Sequence, residues 1–222
     1  DRTLYAQVLG AANEFKEGDE IIGVAATNAA SRENAHRLLS RAQLSRIDSH
    51  PLIEDGLSSY NASSINAEAR ARTADWTLGK LKAFLLKSSE AEIKAVSRGL
   101  TSGVIGCVVK LMSNAELIAL GQKVFNPLPG SQIGAKGYLG ARVQPNSPTD
   151  NVDDIRWQVL DAWSYAVGDV LLGTNPVSSD PKSVAAVEKT LQDLLVTFGI
   201  DHLMPHCVLS HIDVQAEVEE RS

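Results

Sequence analysis

Three polar side chains stand where this chain could do chemistry. Arg142 and Gln144 lie in Gly140-Ala141-Arg142-Val143-Gln144-Pro145-Asn146, and Asn175 lies in Gly173-Thr174-Asn175-Pro176-Val177. In both segments an apolar stretch ends in polar residues and then meets a proline and a loop. A strand carries residues i and i+2 on one face, so Arg142 and Gln144 share a face, as do Gly173 and Asn175. A guanidinium only donates hydrogen bonds, whereas a carboxamide both donates and accepts. Together they suit a small polar ligand that is neutral, or that combines a cation with a hydroxyl. The set holds no evident nucleophile or general base. The alternative is structural: Arg142 pairs with a buried carboxylate and the amides satisfy loop backbone. Spacing alone leaves both readings open.

Arg142 and Asn175 are 33 residues apart. That is the repeat of successive units in a β/α barrel, whose working groups sit at the carboxyl ends of its strands. The flanking sequence supports such units. Strands are expected over 138–144, 169–174 and 206–212. A helix follows the first over 150–167, with Asp150 as its cap and Ile155, Val159, Ala162 and Ala166 on one face. Another opens at Asp180-Pro181, a cap with proline at the first helical position. Val184, Val187, Leu191, Leu194, Leu195 and Phe198 line its buried face, and Gly199 ends it. Each return needs a crossover helix, so the sheet should be parallel. A barrel and an open doubly wound sheet both fit, but the G-x-G-x-x-G turn of a dinucleotide-binding sheet is missing.

Pro127, Pro129 and Gly130 mark a break, and before it the chain reads mostly as helices. Leu4, Val8, Ala11, Ala12 and Phe15 recur at helical spacing, with Gly18 as a stop. Residues 21–25 suggest a short extended piece. Residues 31–44 suggest a helix with His36, Leu38, Leu39 and Ala42 on its apolar side. Residues 54–74 suggest a polar loop with helical turns. Trp76, Leu78, Leu81, Phe84 and Leu85 make an amphipathic helix. Ser89 with Glu92, and Ser113 with Glu116, open two more as capping boxes. Thr101 to Met112 is nearly all apolar and predicts a buried helix. The expected organisation is a helical region at 1–130 and a β/α region at 131–222.

Net charge is −6, from 21 Lys and Arg against 27 Asp and Glu, with no long basic run. Nucleic acid is not an expected partner, because neutralising phosphates needs clustered cations. An apolar fraction of 44% and a charged fraction of 22% are those of an ordinary soluble protein. No apolar run reaches the roughly 18 residues of a membrane span, and the first residues do not read as a secretory signal. Cys107 and Cys207 sit in apolar sequence, which predicts reduced, buried thiols in a cytosolic protein. The start at Asp1 and the uncapped helical pattern at 214–222 suggest a piece of a longer polypeptide. His202, His206, Cys207, His211 and Asp213 invite a metal reading. However, His206 and His211 would face opposite sides of one strand, and Pro205 breaks any helix joining His202 to His206. No metal site is predicted.

Six stretches, in order, resemble the large subunit of ethanolamine ammonia-lyase, an adenosylcobalamin-dependent enzyme family. They are Arg98-Gly99-Leu100-Thr101-Ser102, Ser113-Asn114-Ala115-Glu116-Leu117-Ile118, Ala141-Arg142-Val143-Gln144-Pro145-Asn146, Val167-Gly168-Asp169, Gly173-Thr174-Asn175-Pro176-Val177 and Cys207-Val208-Leu209-Ser210-His211. The resemblance implies a helical N-terminal region followed by the first three units of a TIM-type (β/α)8 barrel. It implies substrate binding by Arg142, Gln144 and Asn175, and cobalamin contact at Pro176. The reaction it implies is radical conversion of ethanolamine, or a similar small amino alcohol, to acetaldehyde and ammonia. The cofactor carries the hard chemistry, which accounts for the missing nucleophile and base. It further implies a small-subunit partner, homo- and hetero-oligomers, and a cytoplasmic setting, within a bacterial microcompartment in some cells. The family's carboxylates for the substrate ammonium lie in later strands, so these residues alone should be inactive. Two other readings remain. One is a non-catalytic binding or assembly module derived from such a barrel. The other is a generic barrel lyase or aldolase, which would need a Schiff-base lysine or metal carboxylates at strand ends, and neither is visible.

Overall fold

The computed structural model describes residues 1–52, 55–165 and 170–221. The chain divides into two units, Asp1–Val124 and Phe125–Ser222.

The first unit is helical: α1 (Arg2–Ala11), α2 (Glu17–Ile21), α3 (Ala29–Ser40), α4 (Leu44–Asp48), α5 (Gly56–Ser63), α6 (Ala67–Thr73), α7 (Leu78–Lys87), α8 (Glu90–Ser97), α9 (Ser102–Lys110) and α10 (Asn114–Gly121). Most start on a side-chain cap. Ser89 and Ser113 form the expected capping boxes with Glu92 and Glu116. Leu39, Leu44, Leu78, Leu81, Val104 and Val108 meet in one buried core. Each such side chain contributes roughly 1.5–3 kcal/mol by leaving water.

Several sequence expectations are corrected here. Residues 55–74, expected as a polar loop with helical turns, hold two full helices, because Asp55 and Asn66 cap α5 and α6, and residue 54 lies outside the described residues. The expected strand at 21–25 is the end of α2 and a turn; Gly23 has φ +74°, and the Val24 and Ala25 amides close on the Asp19 carbonyl. Accordingly α1 stops at Ala11, well before Gly18, and Phe15 is exposed. Helix α3 ends at Ser40 and Leu44 opens α4; α3 buries Ala35 and Leu39 and leaves Leu38 exposed. Trp76 precedes α7 and packs edge-on against Phe84 at 5.1 Å. Helix α9 buries only Val104, Cys107 and Val108, while Ile105 and Val109 are exposed.

The second unit alternates β1 (Ala141–Val143), α11 (Val152–Ser164), β2 (Val170–Thr174), α12 (Pro181–Thr197), β3 (His206–Val208) and α13 (Ile212–Arg221). The strands are parallel in the order β1-β2-β3, as the crossover argument requires. The mostly helical chain with this small parallel sheet is of the α/β class. Asp180 caps α12 with Pro181 at its first position, and Gly199, at φ +67°, follows its end. Leu172, Val143 and Val208 pack with Ile155, Val159, Val187, Leu191 and Leu195, so α11 and α12 cover one side of the sheet.

The strands are shorter than expected: 138–140 and 209–212 lie outside them, and Ile212 already belongs to α13. The expected strand start at Asp169, Ala166 on the expected helix face and the expected helix end at Val167 lie outside the described residues. Cys107 is buried as expected, but Cys207 is exposed. It alternates with His206 and Val208 onto the side of the sheet that α11 and α12 do not cover.

Candidate functional site

The register sets Arg142 opposite Leu171, and Gly173 opposite Cys207. These four residues therefore share the sheet face away from α11 and α12. The Arg142 side chain crosses to the neighbouring strand. A Cβ built on Gly173 would stand 2.6 Å from Arg142 Nε and 2.8 Å from its Cζ. Only glycine leaves the space that the guanidinium fills. One step further along, Gln144 Nε2 donates to Asn175 Oδ1 across 3.5 Å. The structure thus brings Arg142, Gln144 and Asn175 together at the carboxyl ends of β1 and β2. All three are exposed. Among the described residues, Arg142 pairs with no carboxylate. Pro176 is half-buried directly after Asn175, and Val177 is exposed.

The loops that carry these groups are fastened by side chains that sequence reading missed. Thr174, on the helix-covered face, donates its hydroxyl to the Pro145 carbonyl at 2.5 Å. Gln158 of α11 accepts from the Asn146 amide at 2.9 Å and donates to its carbonyl at 2.6 Å. The Leu209 amide donates to the Thr174 carbonyl at 2.9 Å, tying the loop after β3 to the same point.

Asp150 differs most from expectation. The sequence offers it as the cap of α11, but Asn151 caps that helix by accepting from the Asp153 and Asp154 amides. Asp150 is buried at φ +52° and reaches the next loop. It accepts from the Val177 and Ser178 amides, each at 2.8 Å, and from the Ser183 hydroxyl at 3.0 Å. Burial pushes its carboxyl upward, but the two amide bonds and the hydroxyl outweigh burial and hold it below the usual carboxylate value. The signal available beforehand was redundancy: Asp150-Asn151 supplies two cap residues to a helix that needs one.

Among the described residues no group of three or more His, Cys, Asp and Glu side chains could hold a metal ion. His206 faces the helices and contacts Gln192 at 2.8 Å, and His211 lies 3.3 Å from Asp213. His211 stands beyond β3, so the expected single strand carrying both histidines is not formed. No helix among these residues is long and apolar enough to cross a membrane.

The comparisons agree with the resemblance in the sequence. A model of the ethanolamine ammonia lyase large subunit family matches residues 3–222. The ethanolamine ammonia-lyase large subunit of Salmonella typhimurium is 33% identical over 97% of this chain. That of Escherichia coli K12 is 32% identical over the same share. The chain spans about half the length of these relatives, 48% in each case. On a match of this extent, the chain belongs to the ethanolamine ammonia-lyase large subunit family.

Proposed function

We propose that these residues form the first part of an ethanolamine ammonia-lyase large subunit: a helical region, then the first three units of a TIM-type barrel whose mouth binds the amino alcohol. The observation that carries this reading is the convergence of Arg142, Gln144 and Asn175 at the carboxyl ends of adjacent parallel strands. In it, Arg142 donates to the substrate hydroxyl oxygen. The carboxamide oxygens of Gln144 and Asn175 accept from the hydroxyl or the ammonium. Position 173 must then be glycine, since any side chain would displace the guanidinium.

Adenosylcobalamin is the cofactor of this reading, and the residues present fit it. Half-buried Pro176 and exposed Val177 give an apolar shelf beside the polar set, suited to the edge of a broad ring system. When bound, the cofactor supplies the radical that removes a carbinol hydrogen. The chain's own groups bind and orient the substrate, so no protein nucleophile is required. The carboxylates that would neutralise the substrate ammonium belong to later strands. The 222 residues alone are therefore inactive in this reading, and the complete subunit works with a small subunit in an oligomer. Its setting is the cytoplasm, within a microcompartment in some bacteria.

The test is Arg142→Ala in the complete subunit, assembled with its partner and cofactor. Losing a charged hydrogen-bond donor should lower kcat/KM for ethanolamine by at least ~2 kcal/mol, about 30-fold. Unchanged kinetics would remove Arg142 from the site.

A further inference from the structure

Asp150 touches none of the three polar groups, and it serves neither adjoining helix as a cap. Asn151 caps α11 and Asp180 caps α12. Even so, both carboxylate oxygens are committed, one to the Val177 amide and the other to the Ser178 amide and the Ser183 hydroxyl. These two amides precede α12 and follow Asn175-Pro176. Pro176 has a fixed φ and no amide hydrogen of its own, so the amide of Val177 is the first backbone donor after Asn175 by which the loop can be held. From the other side, Thr174 holds the same loop through the Pro145 carbonyl. Asn175 thus stands between two fastenings, and among the described residues its own side chain bonds only Gln144, at 3.5 Å.

We propose that Asp150 is a positioning residue, whose carboxylate fixes the loop after β2 so that Asn175 faces Gln144 at the geometry the substrate requires. This rests on the reading of Asn175 as a substrate ligand. The backbone supports the assignment: φ +52° is tolerated by Asp, Asn and Gly and strains other side chains. Asp150 keeps that conformation while burying a charge whose partners all lie one β/α unit away.

The informative variant is Asp150→Asn in the complete subunit with its small subunit and adenosylcobalamin. It keeps the shape and the left-handed backbone, but one oxygen replaces two and an NH2 now opposes a donor. Hydrogen exchange at the Val177 and Ser178 amides should quicken by about tenfold or more, and KM for ethanolamine should rise more than kcat falls. Ser183→Ala should give the same pattern more weakly. Asn151→Ala, which removes only the α11 cap, should lower the melting temperature while leaving KM within about twofold. Unchanged amide exchange in Asp150→Asn, or a KM shift that Asn151→Ala reproduces at equal loss of stability, would overturn the proposal. If Asn175→Ala itself leaves KM unchanged, the substrate reading falls instead, and amide exchange alone decides whether Asp150 holds the loop.

Discussion

The two units solve different problems with the same short elements. In Asp1–Val124, capped helices of five to twelve residues close around a core in which Leu78 and Leu81 are fully buried. In Phe125–Ser222, strands of three, five and three residues are covered on one face by α11 and α12. Their other face bears Arg142 and Cys207, both exposed, and Leu209 in the loop after β3 is exposed as well. The first unit is organised by apolar packing. In the second, packing fixes only the back of the sheet, and the loops at its carboxyl end are fixed by polar side chains that reach from one loop to the next. The difference teaches where order comes from: a core sets the fold, while Asp150, Thr174 and Gln158 fasten the loops that carry exposed polar groups.

The largest effect expected from this contrast is on stability. Leu81→Ala should destabilise the first unit by about 2–5 kcal/mol, and Leu172→Ala should do the same to the second. Leu209→Ser, in the exposed loop after β3, should change stability by less than about 0.5 kcal/mol. Chemical denaturation of each variant measures this, and equal costs at positions 81 and 209 would break the comparison.

Next comes a functional effect with little folding cost. Gly173→Ala would displace the Arg142 guanidinium, the far end of a flexible side chain. In the complete subunit, kcat/KM for ethanolamine should fall by ~2 kcal/mol or more, while the melting temperature changes little. Parallel losses of both would place the strain in the sheet instead.

The bare face and the unpaired strand edges also predict self-association of the isolated chain. Sedimentation should show oligomers that Leu209→Ser weakens, and a monomer at all concentrations would contradict this.

The smallest effect is on pH dependence. Asp150 has a folded-state pKa below its unfolded value of about 3.9. Its contribution to stability is therefore complete above that value and is lost as pH falls through the folded one. The stability difference between the native protein and Asp150→Asn should be constant at neutral pH and shrink in that acid window. A difference that persists below it would mean the charge is not what matters.

Much of this was legible in the residues. Ser89, Ser113 and Asp180 announced their helices because a cap is a local event, readable three residues at a time. That Arg142, Gln144 and Asn175 come together was legible because strand alternation and a repeated spacing are also local. The strand ends were not: the apolar pattern of Tyr138-Leu139-Gly140 continues past the point where β1 finds a partner, and pairing depends on β2. Asp150 was misread for the same reason, since its ligands are amides 27 and 28 residues away. Residues 54–74 were misread in the opposite sense, because polar composition outweighed two caps in the reading, though not in the fold.

The two cysteines differ in a way that matters at the bench. Cys107 is buried 3.7 Å from the Tyr5 hydroxyl, and burial pushes its thiol upward, away from the reactive thiolate. Cys207 is exposed and sits across the register from Gly173, the residue on which Arg142 rests. One native thiol is therefore addressable and the other silent. A spin label or small fluorophore attached to the unmodified chain would go to position 207 and report from the sheet face that carries Arg142, with no cysteine to introduce or remove.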